Sequence, residues 1–468
     1  MNSKTPPYGR LLTVWTPEDK AFWASTGKSI ANRNLWLSIP VLFLAFAVWM
    51  VWSAVVTQLP AVGFRYTTDQ LFWLAAIPAL SGATLRIFYS FIVPILGGRR
   101  WTVISTLSLL IPAIGIGIAV QDPQTPYWMM LTLALLCGFG GGNFSSSMAN
   151  ISFFFPKEKK GAALGLNAGL GNLGVSSVQF LVPVVITASL FGALGGDPQT
   201  AQLANGTTKQ IWLQNAAFVW VVPIIIFSVL AFFFMNDIND AKASFKEQSV
   251  VFKSKHNWIM CWLYLGTFGS FIGFSAGFPL LIKSQFPGIN ALEFAWMGPF
   301  LGALIRPAGG WLADKIGGAR VTFWNFIAMI IGVVGVLQFL PVAGQTGHFA
   351  GFFASFMLLF ATAGIGNGST FRMIPVIFAD ECLDKARGKD DAACAAAIKE
   401  GNKMGAAVLG FSGAIGAYGG FFIPKSYGTS IAMTGTPHAA LWAFITFYLT
   451  CIAITWWFYS RKSAERPC

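Results

Sequence analysis

Two arginines stand where the surrounding sequence makes a charge expensive. Gly82-Ala83-Thr84-Leu85-Arg86 is followed after ten residues by Gly97-Gly98-Arg99-Arg100, and the same pattern returns 220 positions later as Gly302-Ala303-Leu304-Ile305-Arg306 and Gly317-Gly318-Ala319-Arg320. Arg86 and Arg306 lie near the middle of long apolar runs, where an ionised side chain costs at least about 3 kcal/mol. No Asp, Glu or His lies inside those runs, and the nearest acids, Asp69, Glu293 and Asp314, stand at run edges. Two permanent guanidiniums at matched depth, without carboxylates, read as a receptor for an anion brought from outside. The planar fork of arginine pairs bidentately with a planar oxyanion. The competing reading is that each arginine snorkels or binds backbone carbonyls as a packing device, and the repeat, which gives both the same depth, weighs against it. The chemistry implied is recognition, because the runs hold no nucleophile–base pair, metal cluster or cofactor motif.

Around this pair, Tyr264, Phe268, Asn143, Phe144, Asn167, Asn172, Phe371 and Ser412 are candidate lining residues. Their amides and hydroxyls can donate to anion oxygens, and their rings exclude water and strengthen the arginine interactions. Arg372 is about two helical turns from the end of its run, within snorkelling reach. Gly169-Leu170-Gly171-Asn172-Leu173-Gly174 spells part of GxGxxG, but no strand precedes it, so it is not a nucleotide loop. The glycines Gly165, Gly169, Gly171 and Gly174, and Gly410, Gly416 and Gly419, instead allow helices to approach closely and to slide. Leu164–Gly174 and Leu409–Gly419 form a second repeat, 245 positions apart, and Gly142-Asn143-Phe144 pairs with Ser369-Thr370-Phe371.

The elements that must carry these residues follow from composition. Of 468 residues 55% are hydrophobic and only 10% charged, with 44 Phe and 18 Trp. A soluble chain carries about 25% charged residues, so soluble enzymes, nucleic-acid binders and disordered chains are set aside despite the net charge of +13. A bilayer core about 30 Å thick needs roughly 20 apolar residues per helix. Spans are predicted near 35–59, 71–96, 101–120, 128–155, 161–190 and 215–235, then 258–282, 294–313, 321–340, 350–378, 404–424 and 441–459. Most of the 31 Lys and Arg fall with the termini and the even-numbered connections, leaving Arg65, Lys209, Lys283 and Lys425 on the other side. The positive-inside rule then places both termini in the cytoplasm and requires an even number of spans. The fold class is an all-α polytopic membrane protein. Its parts are a cytoplasmic segment 1–34, a six-helix bundle 35–235, a linker 236–257, a second bundle 258–459 and a tail 460–468. No secretory signal is read in the first 34 residues, and the six cysteines contain no CxxC pair, so no disulfide or metal site is expected. Parallel six-span repeats predict a site between the halves near the midplane.

With these motifs assembled, the chain resembles the nitrate/nitrite porters of the major facilitator superfamily. The resemblance runs from Arg33-Asn34-Leu35-Trp36 to Ile423-Pro424-Lys425 and is most specific in Gly161–Gly174, Ala407–Gly420 and the arginine motifs. It implies a major facilitator fold of twelve helices and a substrate shell of Arg86, Arg306, Tyr264 and Asn172, with Phe144 and Phe268 packed above and below the anion and Phe371 nearby. A serine that relatives offer aligns here with Gly413, beside Ser412. Arg372 stands where some relatives carry a neutral amide. The resemblance also implies nitrate and nitrite as substrates, no cofactor, a monomer in the bacterial inner membrane, and a part in nitrate assimilation or anaerobic nitrate respiration.

An anion that offsets two fixed charges predicts obligatory exchange, nitrate against nitrite, by rocking of residues 35–235 against 258–459. The alternative is nitrate/proton symport, with the proton carried by substrate, water or an edge acid such as Asp314. An anion channel fits the arginines but not the repeat, and a membrane enzyme lacks reactive groups. The basic rim is expected to contact membrane lipid. The charged stretch from Asp380 to Lys403 is expected to form a short helical connection.

Overall fold

The structure is a computed structural model that describes residues 10–202, 206–239, 249–342, 346–388 and 390–468. Residues 1–9 of the expected N-terminal segment and 240–248 of the expected linker, with Lys242 and Lys246, lie outside the described residues.

Long apolar runs without internal polar breaks become helices, the only way for a single segment to satisfy its own backbone in lipid. The first six are α1 (Lys28–Val55), α2 (Thr68–Leu96), α3 (Gly98–Ala119), α4 (Tyr127–Leu136 continuing as Gly138–Phe154), α5 (Lys157–Val185) and α6 (Asn215–Phe234). The second six are α7 (Lys255–Gln285), α8 (Met297–Ile316), α9 (Gly318–Phe339), α10 (Phe349–Ala386), α11 (Asp391–Ala417 continuing as Gly419–Thr434) and α12 (His438–Thr455). Among the described residues, ten helices are long and apolar enough alone to cross a membrane. The other two are α4, interrupted at Cys137, and α8, whose 20 residues carry Arg306, Asp314 and Lys315.

Several edges differ from expectation. Lys425, expected in a connection, lies inside α11 because the helix continues to Thr434. The stretch Asp380 to Lys403, expected as a short helical connection, is divided between the end of α10, which runs to Ala386, and the start of α11 at Asp391. In the α5–α6 connection the strands Gln199–Gln202 and Thr208–Ile211 pair antiparallel.

The Gly-Gly of the arginine motif has a backbone reason. Gly97 and Gly317 take φ of +89° and +94°, left-handed values open to glycine, and turn α2 into α3 and α8 into α9. At the start of α3 the Asp237 carboxylate accepts from the Arg99 amide at 2.8 Å and from its Nε at 3.3 Å. At the repeat-related start of α9, the Ala319 amide donates to the backbone oxygen of Cys468 at 2.9 Å.

Packing repeats as well: α2 lies on α4 and α8 on α10, while α1 lies on α5 and α7 on α11. Between the two sets, α2 meets α11, α5 meets α8 and α1 meets α7. Of the apolar window of α7, 94% is buried, against 28% for α6. The first therefore lines the interior and the second faces lipid.

Candidate functional site

Arg86 reaches the centre of the molecule because glycines let its helix come close. A Cβ on Gly82 would sit 3.1 Å from the Gly141 Cα and 2.7 Å from the Trp49 ring nitrogen, so α2 and α4 touch backbone to backbone there. That approach brings Arg86 Nε to the Gly141 carbonyl at 2.9 Å, and one terminal nitrogen donates across the molecule to the Gly413 carbonyl of α11 at 2.8 Å. The other terminal nitrogen is buried without a partner, and the residue is 0% exposed. Trp49, Phe144 and Phe268 present rings 5.1, 4.7 and 5.2 Å from the guanidinium carbon. Their negative faces offset part of the desolvation cost of the charge. No carboxylate is paired with Arg86 among the described residues; two carbonyl dipoles and three π faces hold it.

Arg306 is held more loosely. Its guanidinium stands 5.3 Å from the Phe371 ring, its residue is partly exposed, and one terminal nitrogen is buried and unpartnered. Tyr264, 2% exposed, is within electrostatic reach of both arginines, Arg306 foremost. A π-helical turn over Leu265–Gly269 follows directly, and such turns recur at functional sites. Here it leaves Tyr264 and Phe268 stacked at 5.4 Å, and Phe268 in turn stacks on Phe144 at 6.5 Å. The two phenylalanines therefore face each other across the gap between the helix sets, beside Arg86.

The remaining candidates divide. Asn172 is buried with its carbonyl oxygen unpartnered. Asn167 donates to Ser147 Oγ at 2.8 Å, which bonds Ser38 Oγ at 2.8 Å, so its amide nitrogen is engaged in joining α5, α4 and α1. Asn143 donates to the Ser105 carbonyl at 3.4 Å and leaves its oxygen free of partners. Ser412 faces the Cys261 thiol at 3.5 Å and not the arginines, while Gly413 contributes its carbonyl. A Cβ on Gly413 would meet only Phe144, at 3.8 Å. Arg372 is ion-paired with Asp314 of α8, and both side chains are more than half exposed.

The glycines divide too. Gly171 packs on Leu42, Gly174 on the Phe43 carbonyl, Gly416 on Tyr264 and Phe268, and Gly419 on the Gly269 backbone. Around Gly165, Gly169 and Gly410 a Cβ would meet nothing within 4 Å.

That difference marks which face is shut. From the end of α2 bearing Asp69, an antiparallel seam with α11 runs inward through Asp69 and Lys425 Nζ at 2.6 Å, Phe72 against Tyr427, Trp73 against Phe421, and Thr84 Oγ1 and Tyr418 OH at 2.8 Å. Its innermost link is Arg86 to Gly413. On the same face Gln179 of α5 donates to the Ser275 carbonyl of α7 at 2.7 Å. Toward the Gly97 end, Gly165 and Gly169 of α5 and Gly410 of α11 have no such close neighbours.

Sequence reasoning did not find Trp49, Gly141, Gln179, Thr84 or Tyr418. Of these only Trp49, a tryptophan in mid-span and not at an interface, carried a readable signal.

A polytopic bundle of repeated six-helix sets around a paired cationic site is the architecture of a carrier. The chain belongs to the major facilitator superfamily, whose family model matches residues 41–390. Within it the chain falls among the nitrate/nitrite porters. It is 51% identical to the nitrate/nitrite transporter NarU of Salmonella typhimurium over 100% of both chains, and 51% identical to NarU of Escherichia coli over 98% of both. It is 41% identical to a probable nitrate/nitrite antiporter, NarK2, of Thermus thermophilus, over 98% of this chain and 99% of that one. Among solved structures, a bacterial homologue of the lysosomal transporter Spinster, described as inward-facing and occupied, superposes with a TM-score of 0.60 at 12% identity, covering 90% of this chain and 95% of that chain. The nucleoside transporter NupG gives 0.59 at 11%, covering 90% and 98%. The protein is a membrane transporter and not an enzyme.

Proposed function

We propose that the protein exchanges nitrate for nitrite across the bacterial inner membrane by alternating access, with the anion held between Arg86 and Arg306. The observation that carries this is the pair of guanidiniums at the meeting of the two helix sets, each with a buried nitrogen lacking a partner. An anion with in-plane oxygens satisfies both at once, with Phe144 and Phe268 on its two faces and Tyr264 and Asn172 at its edge. Exchange is supported by the placement of the acids, since no Asp, Glu or His lies inside the predicted spans and the edge acids Asp69 and Asp314 are ion-paired with Lys425 and Arg372.

In this reading residues 35–235 and 258–459 rock as two bodies, and both termini and the open Gly97 face are cytoplasmic, as the distribution of Lys and Arg supports. The unit is a monomer with basic cytoplasmic edges on anionic lipid. Labelled nitrate uptake into proteoliposomes tests the mode. Uptake that requires internal nitrite and ignores an imposed pH gradient supports exchange. Uptake into anion-free vesicles driven by the gradient overturns it in favour of symport.

A further inference from the structure

We propose that the Gly413 carbonyl is a built-in stand-in for the anion, and that the Tyr418–Thr84 pair holds it on Arg86. This rests on the nitrate/nitrite reading above and concerns how the empty carrier copes with a buried charge.

Arg86 offers three nitrogens. Gly141 of its own helix set takes Nε, and Gly413 of the opposite set takes one terminal nitrogen, leaving one wholly free. Each terminal nitrogen carries two N–H groups, so end-on capture of an oxyanion competes with the carbonyl for the N–H that Gly413 holds, and in this inference it is that N–H which the anion takes. The carbonyl lies across the moving interface, whereas Gly141 does not. Opening the seam with no anion bound would strip Arg86 of a charge-assisted hydrogen bond inside an aromatic cage, with no replacement. Opening with the anion bound would not. The link therefore forbids the empty carrier's return while permitting the loaded one's.

The carbonyl needs a fixture. Thr84 Oγ1 donates to the Leu80 carbonyl at 2.9 Å, so in the 2.8 Å contact with Tyr418 it is the tyrosine hydroxyl that donates and Thr84 that accepts. This bond ties α2 to α11 two residues before Arg86 and five after Gly413. By the repeat offsets the related positions are Leu304 and Leu173, which cannot form such a bond. Only one of the two arginines is clamped in this way. Tyr418 and Thr84 are positioning residues, acting on the anion through Arg86.

Tyr418→Phe and Thr84→Val each remove the bond and keep the shape. Nitrate binding to the purified protein, by calorimetry, is expected to tighten about three- to tenfold in each, the worth of one hydroxyl hydrogen bond. The double variant is expected to match either single one, and net nitrate uptake into anion-free vesicles is expected to appear. A purely structural role would lower affinity and melting temperature together. Unchanged or weaker binding in both single variants, beside a wild type that binds nitrate, overturns the inference alone. A wild type that binds neither nitrate nor nitrite overturns the transport reading and the inference with it.

Discussion

Replacing Asp69 with Asn should loosen the closed seam by a calculable amount. The carboxylate and Lys425 Nζ are 2.6 Å apart, with side chains 31% and 22% exposed. That exposure puts the pair nearer the surface limit than the buried one, worth about 1 kcal/mol, and the ammonium stays over the Trp73 ring at 4.8 Å after the change. A shift of about 1 kcal/mol moves the ratio of seam-open to seam-closed molecules about fivefold. Asp69 also sits in the first turn of α2, where a carboxylate favours the helix. Lys425→Gln isolates the pair from that contribution and should give the same shift, and the swap Asp69→Lys with Lys425→Asp should restore much of the closure. Spin labels at Arg65 and Met433, both exposed at the ends of α2 and α11, report the separation by pulsed dipolar spectroscopy, in a background with Cys394 and Cys468 replaced. The longer-distance fraction should rise about fivefold, and less so at high salt. A distribution unmoved by both single changes at low salt would refute the idea that this pair holds the seam.

Arg86→Lys and Arg306→Lys each replace a fork with a point charge and should weaken nitrate binding by at least about 2 kcal/mol, roughly thirtyfold. Only Arg86→Lys should also lower the melting temperature, since only Arg86 binds two carbonyls; near-normal uptake by either variant would sink the two-arginine receptor. Gly419→Ala should destabilise by about 1–3 kcal/mol because its Cβ would overlap the Gly269 backbone. Gly410→Ala, facing open space, should leave melting unchanged but slow exchange as the opening tries to close; equal melting of the two would contradict the division of glycines. The Glu465 carboxyl is held below its usual range chiefly by the Lys255 hydrogen bond and further by His256. A depressed acid stabilises above its ordinary value and loses that contribution as pH falls through its folded one. The Glu465 contribution, read as the difference between the wild-type and Glu465→Gln melting profiles, should therefore be constant from about pH 8 to 5 and be lost below about pH 4; identical profiles would remove Glu465 from the tail's anchoring.

The sequence exposed what depends on local runs and on duplication. Span positions followed from apolar length, and the matched helices α2 and α8 that carry Arg86 and Arg306 from the repeat at 220 positions. What it did not expose are pairings with no local trace. Asp69 and Lys425 are separated by 356 positions, so nothing nearby signals that one acid and one lysine shut a face. Carbonyls carry no residue code, so Gly141 and Gly413 could not be recognised as the acceptors of Arg86. The π turn after Tyr264 is a one-residue change of register within an ordinary apolar stretch. Arg372 reads from the sequence as a side chain within snorkelling reach of its span end, and its pairing with Asp314, on a different helix 58 positions away, has no local trace. Apolar length ends the predicted span at 424 and leaves Lys425 in a connection, yet α11 carries Pro424 inside the helix and continues to Thr434.

The cage of Trp49, Phe144 and Phe268 bears on which anions can enter at all. With rings on three sides of a wholly enclosed Arg86, an arriving ion must leave its hydration shell behind, and the aromatic faces return none of those contacts. A doubly charged or strongly hydrated oxyanion such as sulfate or phosphate loses far more than it regains from two guanidiniums. A large, weakly hydrated monovalent ion loses little. If the anion binds between the arginines as proposed, the protein sorts anions by how willingly they shed water before any question of shape arises, and that sieve is built from hydrocarbon.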